Sequence, residues 1–449
     1  MLVLTIACIA PTVAAQTTDS RPRFHFITLD PGHFHASLVQ KFMNPDVDST
    51  VDVFAPAGDD VAQHLARIRA FNARADSPTH WAERVDTGAD FLDRMIAAKP
   101  GNIVVIAGNN ARKTEYIARC IEAGLNVLAD KPMVRTPADF VRLERVFRMA
   151  AQKHVRLYDI MTERSEVTTQ LQRELSRRPD LFGSLVPGSP DTPAISMKSE
   201  HYFSKVVAGA QLIRPQWFFD VRQEGDGIVD VTTHLVDLVQ WEGFPDQALK
   251  PSDVRMLSAR RWSTPITAEQ FRLLTGASSF PAYLQHDMKD GVLQVLSNGE
   301  MTYRLHGVHA RVAVEWHFAA SSGSDTHYSM MRGTKATLVI QQGAEQQYKP
   351  VLYVVRAPSV NAAAHDAALA TAVAALQHDF PGVGVRREGD RWAVTVPARF
   401  DVGHEAHFAE VTNRFLGYLR GEPMPRWEVP NMITKYATIM QAYTMSGGR

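Results

Sequence analysis

An α/β fold is predicted for this 449-residue chain by two observations. Between residues 22 and 160, short apolar strands alternate with helices of ten or more residues, as in a doubly wound parallel sheet. From about residue 251 the pattern changes to strand-like runs separated by Gly, Asn, Asp and Ser, which predicts a second α/β domain with a large mixed or antiparallel open sheet. The expected division is a leader at 1–20, a parallel-sheet domain at 22–160 and a second domain at 161–449.

Taken in order, Phe24 to Leu29 is a first strand, with Asp30-Pro31-Gly32 as its turn and helical spacing through Ala36, Leu38, Val39 and Phe42, predicting a helix from His35 to Phe42. Thr50 to Phe54 is a second strand and Val61 to Ala73 an amphipathic helix. Ile103 to Ala107 is almost wholly apolar, as expected of a strand covered on both faces. Lys113 to Ala123 is a helix stopped by Gly124, Asn126 to Ala129 a strand, Pro137 to Lys153 a helix and Arg156 to Ile160 a strand. Residues 165–177 and 229–242 read as helices. The later strands are Val254–Leu257, Gly291–Ser297, Glu300–Leu305, Ala310–Phe318, Ala336–Ile340, Val351–Val355 and Arg391–Val396. Helices are expected over Ala362–Leu376, His404–Arg420 and Pro430–Met445.

Forty-eight basic residues balance 48 acidic ones, so no long-range field draws the chain to nucleic acid or an anionic membrane. Of two cysteines, Cys8 falls in the leader and Cys120 in a helical apolar pattern, which excludes a disulfide framework and makes Cys120 a packing residue. Leu2 to Ala15 is apolar and ends in Val13-Ala14-Ala15, like a signal-peptidase site, although no Lys or Arg precedes it. The run is too short for a membrane anchor, and export to a periplasmic compartment is the expectation.

Four stretches can carry chemistry. Asp30-Pro31-Gly32-His33-Phe34-His35 lies where a dinucleotide fingerprint would place G-x-G-x-x-G, and only the middle glycine, Gly32, is present. No acidic residue ends the second strand, and no Arg or Lys stands ready for a 2′-phosphate, so NAD is preferred to NADP. Asn109 and Asn110 follow a strand at the sheet's ligand-binding edge, where they can bond a ribose or amide or simply cap a helix. Asp130 and Lys131 end a buried strand before Pro132, placing an ammonium at the carboxyl edge of the sheet. Asp230, His234 and Asp237 follow Gly225 and Gly227 at helical spacing, so one helical face carries all three. A histidine beside a carboxylate suits acid–base work, a metal pair or a structural hydrogen bond.

Together these residues resemble the glucose-fructose oxidoreductase, inositol dehydrogenase and rhizopine-catabolism family (Gfo/Idh/MocA). Its E-A-G-x-x-V-x-x-E-K-P mark is matched from Glu122 to Pro132, with Asp130 in place of Glu. Its D-x-G-x-H-x-x-D mark is matched by Asp230, His234 and Asp237, with Thr232 where glycine is usual. Gly333 to Leu338 and the closing segments from Phe408 to Ser446 are also similar to the family, so the likeness spans nearly the whole chain.

The resemblance implies a Rossmann domain, a second domain whose open sheet forms a homo-oligomer, and final helices packing back on the first domain. It implies Lys131, His234 and Asp230 as catalytic residues. Gly32, His33, Phe34, His35, Asn109, Asn110, Asp130 and Lys131 are then expected at the NAD site, with no metal. Lys131 would hold the reacting hydroxyl, His234 would be the base, and Asp230 would orient the substrate or the histidine. The implied activity is hydride transfer between nicotinamide and a sugar, glycoside or polyol carbon. Three alternatives stand beside it: glycoside cleavage through transient oxidation and elimination, non-catalytic sugar or cofactor binding, and a metal hydrolase using Asp230, His234 and His201.

Overall fold

The structure, a computed structural model, describes residues 23–207, 210–320 and 324–448; the expected leader lies outside them. Six strands, β1 (Phe26–Leu29), β2 (Thr50–Ala55), β3 (Ala82–Thr87), β4 (Ile103–Ile106), β5 (Asn126–Asp130) and β6 (Leu157–Ile160), form a sheet ordered β3-β2-β1-β4-β5-β6. Every pairing is parallel. The order reverses between β1 and β4, so the loops after these strands diverge and open the crevice where such sheets bind ligands. The intervening helices are α1 (His35–Leu38), α2 (Asp59–Ala73), α3 (Phe91–Ala98), α4 (Lys113–Glu122) and α5 (Pro137–Lys153).

Beyond them come α6 (Val167–Ser176) and the strand β7 (Ile195–Ser204), then the short pair β8 (Val206–Val207) and β9 (Ala210–Gln211). Helix α7 (Thr232–Gly243) leads to β10 (Val254–Ile266), α8 (Ala268–Thr275), β11 (Met288–Lys289), β12 (Val292–Leu305), β13 (Val308–Ala319), β14 (Thr326–Arg332), β15 (Ala336–Gln342) and β16 (Val351–Arg356). The chain closes with α9 (Ala362–Leu376), β17 (Gly384–Glu388), β18 (Arg391–Thr395), α10 (His404–Arg420) and α11 (Glu428–Met445). The second sheet runs β10-β12-β13-β7-β14-β15-β16-β18-β17, with β11 on β12. It is mixed: β13 and β7 pair in parallel and their neighbours antiparallel. Among the described residues no helix is long and apolar enough to cross a membrane.

The structure corrects several expectations. The helix expected from His35 to Phe42 stops at Leu38, where the Gln40 and Lys41 amides bond only three residues back, to Ser37 (3.0 Å) and Leu38 (3.2 Å); beyond it the Gln40 carbonyl is taken by the Trp81 indole (2.6 Å) and that of Lys41 by Arg74 (2.5 Å). Gly291–Ser297 and Glu300–Leu305 are one strand, β12, running straight through Asn298-Gly299. That dipeptide marks a close approach of two chains: a Cβ on Gly227 would sit 2.3 Å from the Asn298 carbonyl carbon, and one on Gly299 2.7 Å from Ile228. Strand β3 was illegible because it is an edge strand with most side chains in solvent. Strand β7, central in the second sheet, is masked by Lys198, Glu200 and His201 between its buried Ile195, Met197 and Phe203.

A buried charge network fastens the two sheets. Arg164 grips Asp237 of α7 through Nε (2.6 Å) and Nη2 (2.7 Å) and reaches Glu428 of α11 through Nη1 (2.6 Å). Lys435 of α11 bridges Asp237 (2.9 Å) and Asp159 of β6 (2.6 Å). Tyr436 adds a hydrogen bond to Asp159 (3.2 Å), and its hydroxyl accepts the Met133 amide (3.3 Å). All five charged side chains are at most 3% exposed. Lys435→Met removes the cation that joins Asp159 to Asp237 and leaves Asp159 with only the Tyr436 hydroxyl, so we expect a loss of about 3–5 kcal/mol in unfolding free energy by urea denaturation.

Candidate active site

The tip of β5 carries the first half of the site. Val127, Leu128 and Ala129 are fully buried, and the chain then leaves the sheet at Pro132. Lys113, at the start of α4, donates to the carbonyls of Asp130 (3.1 Å) and Lys131 (3.4 Å), and Thr114 donates to that of Met133 (2.7 Å). The backbone bearing Lys131 is therefore held from one side by α4 and from the other by Tyr436.

The second half comes from the loop before α7. Gly227 permits the loop to lie on β12, and Asp226 folds it by accepting the amides of Ile228 (2.9 Å) and Val229 (3.2 Å) while pairing with Arg261. This geometry corrects the expectation that Asp230, His234 and Asp237 share one helical face. Asp230 precedes the helix and forms an ion pair with Lys131; Asp237 turns into the Arg164–Lys435 network. His234 is left facing a cavity of about 1070 Å³ that Lys131 and Asp230 also line.

Burial and charge set the states of these groups. Burial alone would depress the Lys131 ammonium, but Asp230, Asp130 and Glu224 outweigh it and raise its pKa. His234 is pushed down to about 4, chiefly by burial, and its Nδ1 has no hydrogen-bond partner. Glu224, missed from the sequence, is pushed up to about 8 by burial and by Asp230. Its carboxylate and carbonyl accept from Asn110 Nδ2 (3.2 and 2.7 Å). Glu163, also missed, stays ionised, its burial outweighed by His404 and His234, whose charge fields it shares. Seven histidines line this cavity, among them His33, His35, His201 and His404.

The nucleotide-site candidates divide. His33, Phe34, His35 and Lys131 line the main cavity. Asp130 lies just behind them, 2.9 Å from His35 Nδ1 and 3.4 Å from His33 Nδ1. Asn109 and Asn110 do not line it: their amides bind Gln223 (2.7 Å) and Glu224, clamping the β4 loop to the second half. Gly32 sits where the turn crosses that loop, its amide bonded to Asp30 (2.9 Å) and the His33 amide to Ala107 (3.1 Å). Asp30 holds φ near 50°, the left-handed region that the missing first glycine would favour.

A smaller cavity of about 290 Å³ opens at the β2 tip between Asp30, Gly58, Asp59, Asp60 and Trp217. The residues fit a dinucleotide at both ends, with carboxylates for ribose hydroxyls here and Lys131 and Phe34 at the nicotinamide end. Between them the Trp217 indole donates to Asp60 (2.7 Å) and covers Gly32, so this side chain must turn aside for a pyrophosphate to cross the turn. The alternative metal set does not assemble, since Asp230 is held by Lys131 and His201 by Asp325 (3.0 Å).

Known proteins agree with this architecture. A family described as “Putative oxidoreductase C terminal domain” matches residues 171–447, and one described as “Oxidoreductase family, NAD-binding Rossmann fold” matches 58–160. A solved structure described as a “putative oxidoreductase” from Parabacteroides merdae ATCC 43184 is 49% identical, with a TM-score of 0.93 over 95% of this chain and 98% of its own. Levoglucosan dehydrogenase, in complex with NADH and levoglucosan, is 14% identical with a TM-score of 0.57, over 94% of this chain and 98% of its own. Biliverdin reductase from Synechocystis sp. PCC 6803, with biliverdin and NADP+, is 11% identical with a TM-score of 0.57, over 95% and 100%. The last two share the fold. Comparison with curated proteins found no match. Fold and site define an NAD(P)-binding oxidoreductase. The chain belongs to the Gfo/Idh/MocA oxidoreductase family.

Because Glu224 is protonated near neutral pH, Glu224→Gln mimics its resting state. We expect the variant's unfolding free energy at pH 7 to stay within about 1 kcal/mol of wild type. Asp230→Asn, which leaves Lys131 unpaired, should cost more by the same urea titration.

Proposed function

We propose that the protein is an NAD-dependent oxidoreductase acting on a hydroxyl or ketone carbon of a sugar, glycoside or polyol. The observation that carries this reading is the unpartnered, uncharged His234 facing the same cavity as the Lys131 ammonium. When bound, the nicotinamide supplies the hydride acceptor or donor. Lys131, fixed by Asp230 and Lys113, binds the reacting oxygen and stabilises the charge that grows on it. His234 takes the hydroxyl proton in oxidation and returns it in reduction, and Glu163 favours the imidazolium formed on the way. The carboxylates at the β2 tip favour ribose hydroxyls over a 2′-phosphate, which supports NAD over NADP. A levoglucosan dehydrogenase among the proteins of like fold supports a carbohydrate substrate.

The apolar Leu2 to Ala15 stretch supports an exported, periplasmic enzyme, which N-terminal sequencing of the mature protein tests by cleavage after Ala15. A homo-oligomer through the open face of the second sheet is part of the same proposal, and light scattering on the purified protein tests it.

Lys131→Ala and His234→Ala are each expected to lower turnover by at least about a hundredfold while leaving NAD binding largely intact. Nucleotide released on denaturation, identified by mass, reads the cofactor directly; full activity in either variant removes the assigned roles. A ketone formed with matching NADH supports net oxidation, whereas free sugar without NADH build-up replaces it with cleavage through transient oxidation. For the free enzyme, the loss of kcat/KM that comes from protonating His234 should be centred near pH 4, below any change from Glu224 near 8. A fall centred near 6.5 would mean that the base is solvated.

A further inference from the structure

We propose that His33, His35 and Asp130 form a binding site for one divalent transition-metal ion of the zinc or iron(II) class, open to the main cavity beside Lys131. Three ligand atoms, one from each residue, lie within 4.8 Å of one another. The Asp130 carboxylate oxygen is 2.9 Å from His35 Nδ1 and 3.4 Å from His33 Nδ1. Ligands held about 2.1 Å from a common ion in a tetrahedral site stand roughly 3.4 Å apart, so little movement is needed to close on one.

The bonding at the cluster is incomplete without an ion. Asp130 is 2% exposed, and among the described residues no Lys or Arg forms an ion pair with its carboxylate. Lys113 spends its ammonium on backbone carbonyls and Lys131 on Asp230. Asp130 Oδ1 and His33 Nδ1 are both buried and have no hydrogen-bond partner, although His33 Nδ1 is close to the carboxylate. A buried carboxylate with one oxygen unpartnered, and the other beside two imidazole nitrogens, is a donor set that can close on a cation. Two imidazoles and one carboxylate suit zinc or iron(II) rather than magnesium or calcium, which prefer all-oxygen shells.

Both histidines line the cavity, so a water or a substrate oxygen can complete the coordination shell next to the Lys131 ammonium. The site does not depend on the hydride-transfer reading, and its test does not use activity.

Untagged full-length protein, stripped with a chelator, is titrated with Zn²⁺ by calorimetry and with Co²⁺ by visible absorption. One equivalent of Zn²⁺ and ligand-field bands from nitrogen–oxygen coordination are expected. His33→Ala and His35→Ala should each weaken binding by at least about a hundredfold, and His234→Ala should leave it unchanged. Circular dichroism confirms that each variant is folded. His35→Gln keeps a hydrogen-bond donor to Asp130 but not the imidazole ligand, and it too should lose the ion. Absence of saturable binding, binding retained in both His33 and His35 alanine variants, or loss only in His234→Ala would each overturn the proposal in favour of a plain hydrogen-bonded triad.

Discussion

The arrangement depends on five buried charges. Arg164 and Lys435 face Asp159, Asp237 and Glu428 in a region closed to water, where ions are tolerated only if their partners are in place. The constraint is geometric as much as energetic. Asp159 belongs to β6, Asp237 to α7 and Glu428 to α11, so satisfying Lys435 and Arg164 fixes the last parallel strand, the helix of the second sheet and the closing helix together. A hydrophobic contact between the same elements would tolerate sliding by an ångström; bidentate and bridging ion pairs do not.

That fixed relation is what makes a site of Lys131 and His234. Asp237 lies on the same helix as His234, and Tyr436, next to Lys435, holds the amide of Met133 close behind Lys131. The network's two ends therefore define the two sides of the cavity. The glycine contact between Gly227 and β12 sets the remaining degree of freedom, the height of the Asp230 loop above the sheet.

The parallel sheet and the strand-end position of Lys131 were legible in the sequence because each rests on local pattern: apolar strands and a proline exit. What escaped was set by distant partners. Asp237 looks like a third member of a helical face, and only Arg164 and Lys435, remote in the chain, show that it faces the other way. Asn298-Gly299 looks like a hairpin turn, yet its glycine serves a neighbour that the sequence does not name. Glu163 and Glu224 carry no motif at all; their importance comes from the groups that burial sets around them. Strand β7 hides because Lys198 and Glu200 form ion pairs along it while Ser199 and His201 line the cavity.

Two of the three departures from the family pattern, the glycine turn and the strand-end acid, are best understood as one change. The fingerprint's first and third glycine positions are occupied by Asp30 and His35, and the strand-end glutamate by Asp130. Asp30 keeps the left-handed conformation of a glycine, so the turn itself survives. His35 occupies space that a third glycine would leave empty, with its ring 4.7 Å from that of Phe408 on α10 and its Nδ1 2.9 Å from Asp130. A carboxylate one methylene shorter than glutamate reaches less far from the strand, and here it meets His33 and His35, which line the cavity in front of it. Lost glycines and a shortened acid would separately weaken a nucleotide site. Together they exchange part of a backbone cradle for a cluster of two imidazoles and a carboxylate at the point where the parallel sheet meets the main cavity.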